Sequence, residues 1–155
     1  LNVLKYYLNA ALKIVSGFAD KIQIIDAFCG RGEALNGKDG SAKIIIDLLF
    51  EKSREITGKQ FVAYFNDINK EHTVNIIKLA SKIEETSVKV YINNKDGEEF
   101  LSGINEKASK EEYKFLFYDP YNYAPIKKQL IGDFLDKNFS EALVFIPFTQ
   151  IYRFV

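Results

Sequence analysis

The sequence has one cysteine, Cys29, and one histidine, His72. A lone cysteine excludes an intrachain disulfide, and one Cys with one His cannot assemble a zinc-type ligand cluster. An excess of charge of one sign is also missing, since 21 Lys and Arg balance 21 Asp and Glu. Without a basic excess there is no electrostatic footprint for nucleic acid, and charge lends such a substrate no support. No apolar run approaches the ~20 residues of a membrane helix. No cationic start followed by an apolar core and a small-residue cleavage site marks the chain for export. These absences imply a soluble, cytoplasmic protein. No repeat, low-complexity tract or linker rich in Pro, Gly or Ser interrupts the 155 residues. That length suits one domain, which buries roughly 70% of the surface its unfolded chain exposes. The chain opens on Leu1 rather than Met and ends on "FIPFTQIYRFV", still strand-like in texture. The expectation is a single domain over residues 1–155 that forms the N-terminal part of a longer protein.

What is present is an alternation of two periodicities. Val3, Leu4, Tyr7, Leu8, Ala11, Leu12 and Val15 recur at helical spacing, and that helix stops near Gly17. "KIQIIDAF" is β-branched and short, hence a strand. After the polar "GEALNGKDG", Ser41 is expected to cap a helix that buries Ile44, Ile45, Leu48 and Leu49. "FVAYF" (61–65) is a second strand, followed by a helix with Val74, Ile77, Ala80 and Ile83 on its inner face. "VKVYI" (88–92) is a third, followed by a short helix after Asp96. "KFLFY" (114–118) is a fourth, stopped by Pro120, whose missing N–H ends the ladder. Pro125 suits the first turn of a helix with Ile126, Leu130, Phe134 and Leu135 inward, and "ALVFIPF" is a fifth strand. Strands separated by helices require crossovers, so the expected fold is α/β, a doubly wound parallel sheet.

In such sheets ligands bind beyond the carboxyl ends of the strands, where strand order reverses. The first four strands end in "DAFCGRGE", "FNDIN", "INNKDGEEF" and "FYDPYNY", each with at least one acid. Gly30 and Gly32 allow a tight turn and a close backbone approach to a ligand. Asp67 is placed to accept from two ribose hydroxyls. Asp96 can accept from an exocyclic amine such as that of adenine, with Phe28 or Tyr91 as a stacking surface, although Asn93 and Asn94 compete for that role. The dinucleotide fingerprint fits poorly: its third glycine is replaced by Leu35, and Asp67 lies 35 residues beyond Gly32 where about 20 is usual. Asp26 would repel a pyrophosphate but suits a sulfonium or an amino group. A cofactor without phosphates, S-adenosylmethionine, meets these demands.

The motif D-x-F-x-G-x-G, met by Asp26, Phe28, Gly30 and Gly32, resembles the first motif of class I methyltransferases. Together with "GSAKIIIDLL", "FNDIN", "FYDPYNY" and "ALVFIPFTQIYRF", most of the chain resembles the bacterial three-Cys-motif partner (TcmP) family. The resemblance implies a Rossmann-like class I methyltransferase core, S-adenosylmethionine as cofactor, and action beside a cysteine-rich partner protein. In that family the loop before a Gly-Ser helix start, here Gly40 and Ser41, accounts for the long spacing to Asp67. "DPYNY" resembles in part the D/N-P-P-Y/F motif of methyltransferases acting on adenine or cytosine amines. By that resemblance Asp119 accepts from the acceptor amine, Tyr121 or Tyr123 stacks on it, and Pro120 and Asn122 complete the substrate side. An aromatic residue stands where the second proline belongs.

Each of these residues also has a plain structural reading. An acid or glycine at a strand end closes a turn or caps a helix without any ligand. Cys29 reads as a small buried residue, His72 as a solvated helix residue, and Arg31 and Arg153 as surface ion-pair partners. Two rivals to a methyltransferase therefore stand: a non-catalytic scaffold subunit of the same fold, and a nicotinamide-dependent oxidoreductase for which no proton-transfer residue is evident.

Overall fold

The structure is a computed structural model that describes residues 1–33, 37–83, 86–121 and 127–146. Five strands, β1 (Lys21–Asp26), β2 (Gln60–Asn66), β3 (Lys89–Asn93), β4 (Tyr113–Tyr118) and β5 (Phe139–Val144), form one sheet in the order β3-β2-β1-β4-β5. Every pairing is parallel. The order reverses between β1 and β4, which are neighbours with Asp26 opposite Phe117.

Side chains alternate along each strand, so each crossover has an apolar face to cover. On one face Ile22, Ile24, Phe61, Ala63, Phe65, Phe115 and Phe117 meet α1 (Asn2–Val15), α2 (Ser41–Glu55) and α3 (Lys70–Ala80). On the other, Ile25, Leu116 and Tyr118 meet α4 (Gly97–Glu106) and α5 (Lys128–Lys137) through Phe100, Leu101 and Phe134. β4 is buried at every residue, as a central parallel strand must be. Helix α1 docks through Leu4, Leu8 and Leu12, an i, i+4 stripe of fully buried leucines. Each such side chain contributes roughly 1.5–3 kcal/mol on leaving water. Among the described residues no helix is long and apolar enough to cross a membrane.

Four expectations shift. Gly40, not Ser41, is the N-cap of α2; Ser41 sits in the first turn with its side chain buried. The inner face of α3 is Thr73, Ile76 and Ala80, while Val74 and Ile77 are exposed. The helix is phased by its cap, where Asn69 Oδ1 accepts from the Glu71 N–H at 2.9 Å, and this phase turns Ile76 rather than Ile77 inward. In α5, Phe134 is buried but Leu135 faces solvent, and Pro125 and Ile126 lie outside the described residues. The fifth strand also begins earlier than "ALVFIPF", because Phe139 already pairs with Tyr113.

Candidate active site

The first strand delivers Asp26 to the point where the sheet order reverses. Asp26 shares the face of Ile22 and Ile24 and is 0% exposed. Its Oδ1 accepts from the Phe28 N–H at 3.3 Å, and its Oδ2 has no hydrogen-bond partner among the described residues. Burial pushes this carboxyl up to about 7, against the Ser41 hydroxyl and the Phe28 N–H, which hold it down; the negative charges of Asp119 and Asp67 raise it further. A buried carboxylate with an orphaned oxygen and two acids around it is a demand for a cation or a donor.

The turn after Asp26 takes the shape its glycines permit. Gly30 and Gly32 both have positive φ, +58° and +79°, a region closed to most L-residues. A Cβ on Gly32 would also fall 2.5 Å from Leu79 Cδ1 and 2.8 Å from Ile76 Cδ1. Gly40 returns to this turn: its N–H donates to the Gly32 carbonyl at 2.8 Å, and Glu33 bridges Asp39. The two glycines thus close the base of the intervening loop, and a side chain on Gly40 would strike the Gly32 backbone. Residues 34–36, including Leu35, lie outside the described residues.

Asn66 fastens the neighbouring strand ends to this turn. Buried at the end of β2, it donates through Nδ2 to the carbonyls of Ala27 and Lys95, accepts at Oδ1 from the Lys95 N–H, and its own carbonyl accepts from Cys29 N–H. Every polar atom of its side chain is satisfied. Asp67 follows, 4% exposed. Its Oδ2 accepts from the Gly30 N–H at 3.0 Å and its Oδ1 from the Asn69 N–H at 2.8 Å, with His72 Nδ1 at 3.1 Å from the same oxygen. The acid expected at the ribose is therefore engaged in shaping the glycine turn. His72 is not solvated, as its helix position suggested, but is held by Asp67 through the early start of α3.

A cleft of about 360 Å³ lies over these elements. Among the residues that line it are Phe28, Gly30 and Gly32 of the turn, Asp119, Pro120 and Tyr121 after β4, and His72, Arg31 and Cys29. Asp119, at the end of β4, is half-buried, and burial raises its carboxyl above the ordinary range. The Tyr121 hydroxyl lies 3.1 Å from where a Cβ on Gly30 would stand, so that glycine is needed both for its backbone and for this approach. Burial, then the charges of Asp26 and Asp67, pushes the Cys29 thiol far up, which leaves it un-ionised and suits a packing role.

Asp96, Asn94 and Tyr91 are not among the residues that line this cleft. Asp96 caps α4, accepting from the Glu98 N–H at 2.9 Å. Asn94 Nδ2 donates to the carbonyls of Asp67 and Ile68. Tyr91 stacks on Tyr64 at 5.0 Å between ring centroids, on the sheet face that α4 and α5 cover in part. Phe28 packs edge-on against Tyr118 and directly over Gly97, where any Cβ would overlap its ring. Asn122, Tyr123 and Arg153 lie outside the described residues.

No protein-family model and no curated protein matches the chain. Solved structures do. An S-adenosylmethionine-dependent methyltransferase from Agrobacterium tumefaciens aligns over 75% of this chain and 32% of its own at 11% identity and a TM-score of 0.43. The chain thus spans about a third of that protein's length. HI0767 of Haemophilus influenzae, assigned as a methylase, aligns over 89% of this chain and 74% of its own at 14% identity and a TM-score of 0.50. With the all-parallel order β3-β2-β1-β4-β5 and a cleft at the reversal between β1 and β4, the chain has a Rossmann-like α/β fold similar to that of HI0767.

Proposed function

We propose that this chain binds S-adenosylmethionine and transfers its methyl group to an amine, with a nucleic-acid base as one candidate acceptor. The observation that carries the reading is the orphaned Asp26 Oδ2 beneath a turn of two positive-φ glycines. A positive amino or sulfonium group in the adjoining cleft attracts that carboxylate and lowers its pKa. A pyrophosphate beside it meets repulsion instead, which disfavours a nicotinamide dinucleotide. Gly30 and Gly32 provide the backbone approach, and Phe28 provides an apolar ring at the same wall.

The cofactor supplies a methyl carbon bonded to a sulfonium, a leaving group that departs as a neutral thioether. The chain's part is then to position the acceptor and accept its N–H. Asp119, across the cleft from the glycine turn, is the group for that task, since a half-buried carboxylate accepts strongly and burial raises its affinity for a proton. Pro120 fixes the turn that holds it, and Tyr121 offers a ring on which a planar acceptor stacks. Asn122 and Tyr123 belong to the same motif. By resemblance to the three-Cys-motif partner family, a cysteine-rich protein acts beside this one.

A scaffold role without catalysis is favoured by one observation: the carboxylates of Asp67 and Asp96 are both engaged within the protein. Titration calorimetry with S-adenosylmethionine and S-adenosylhomocysteine, with NAD as control, separates the readings. Saturable binding of the first two and none of NAD is expected; a folded sample that binds neither sinks the methyltransferase reading.

A further inference from the structure

Recognition of a ribose needs an acceptor that faces the ligand, and Asp67 is not among the residues that line the cleft. Its Oδ2 holds the Gly30 N–H, its Oδ1 holds the Asn69 N–H and His72, and its side chain is almost fully buried. His72 does line the cleft, two positions into α3 and beside the glycine turn. An ionised carboxylate only accepts, so the nitrogen that His72 turns to Asp67, Nδ1, carries the ring's proton. In the neutral ring this leaves Nε2 with its lone pair. The polar atom near it is Asn69 Nδ2 at 3.5 Å, too long for a strong hydrogen bond, and Asn69 is already fixed by capping α3.

We propose that His72 Nε2, oriented by Asp67, is the acceptor for a ribose hydroxyl of a nucleoside bound in this cleft. The inference rests on the nucleoside-cofactor reading above and assigns its ribose contact to a residue that binds through its ring rather than to the acid after β2. Asp67 becomes a positioning residue: it fixes the tautomer of His72 and the Gly30 N–H together. A ligand without the hydroxyl leaves Nε2 with only the long contact to Asn69 Nδ2, so the site selects nucleosides with an intact ribose.

The test is calorimetric titration of the chain with S-adenosylhomocysteine and with its 2′-deoxy and 3′-deoxy analogues. Wild type is expected to bind at least one deoxy analogue about tenfold more weakly, the usual weight of one hydrogen bond. In His72→Ala that preference collapses to within about twofold, because affinity for the parent falls while affinity for the analogue does not. His72→Gln, which keeps an acceptor on a side chain of similar reach, retains part of the preference and guards against a His72→Ala variant that does not fold. An unchanged preference in both variants, or no preference in wild type, overturns this assignment and leaves cofactor binding standing. No binding of the parent by folded wild type overturns both.

Discussion

Replacing Asp26 by Asn removes a carboxyl that the fold holds in its protonated form well above the pH at which an unfolded chain releases it. Burial raises the group from an ordinary value of 3.8 to about 7. The linkage then has a definite sign. Below about pH 4 the carboxyl is neutral in both states and contributes no penalty. Between about pH 4 and about pH 7 the unfolded chain has lost the proton while the native chain keeps it, so native stability falls by ~1.4 kcal/mol per pH unit. Above about pH 7 the penalty levels off at ~4 kcal/mol. Asp26→Asn cannot titrate and escapes this slope. The difference in unfolding free energy between variant and wild type should therefore grow in the variant's favour from about pH 5 to about pH 7 and then stop growing. Urea melts of both proteins across that range measure it, and taking the difference cancels the other titrating groups. Parallel curves for the two proteins would refute the argument, because they would mean that Asp26 is already ionised in the native state. The same carboxyl predicts that S-adenosylmethionine displaces a proton when it binds near neutrality, visible as a dependence of binding heat on the buffer's ionisation enthalpy.

Gly32→Ala forces a Cβ onto a φ of +79° and into Leu79, so a loss of about 2–4 kcal/mol and of cofactor affinity is expected by thermal melting and calorimetry. Gly97→Ala should displace the Phe28 ring and cost about 1–3 kcal/mol, with the near-ultraviolet circular dichroism of the Phe28–Tyr118 pair changed; an unaltered spectrum and melt would count against this contact. Asn66→Ala leaves the Lys95 N–H and two carbonyls without their partner, and urea melts should register a loss of about 2–4 kcal/mol. Asn138→Ala removes an acceptor shared by the buried Lys114 ammonium, at 2.7 Å, and the Ser109 N–H. Its expected loss is of similar size, on the order of 2–4 kcal/mol, and a change below about 0.5 kcal/mol would show that water replaces the amide.

The glycine turn was legible because residue type alone dictates it: an acid ending a β-branched run, then glycines where the backbone must reverse. The parallel sheet followed from the alternation of short β-branched runs with helical stripes. The phase of α3 was not legible, because Val74, Ile76, Ile77 and Leu79 offer apolar residues on more than one side, and the Asn69 cap decides between them. Knowing the cap, one reads His72 as a first-turn residue directed back at the strand end, which is the signal that periodicity missed. Asp67 and Asp96 stand just past their strands, but a carboxylate there has backbone N–H groups of its own turn within reach, and here these occupy it. Gly97 escaped notice, and Gly40 was read only as part of a Gly-Ser helix start, because what requires them is space, taken up by Phe28 and by the Gly32 backbone.

The hydrogen bond between Gly40 and Gly32 closes the base of the loop between them. Lengthening a loop whose ends are already held together adds only about 0.6 kcal/mol per doubling. The residues between Glu33 and Asp39 can thus change in number without disturbing the turn, whose ends the Glu33–Asp39 bridge also holds. Patterns that count residues from the second glycine to the next acid would pass over a chain of this kind, whereas patterns anchored separately on the turn and on a Gly-Ser helix start would find it. A peptide tag or a reporter inserted there should leave the cleft's geometry intact.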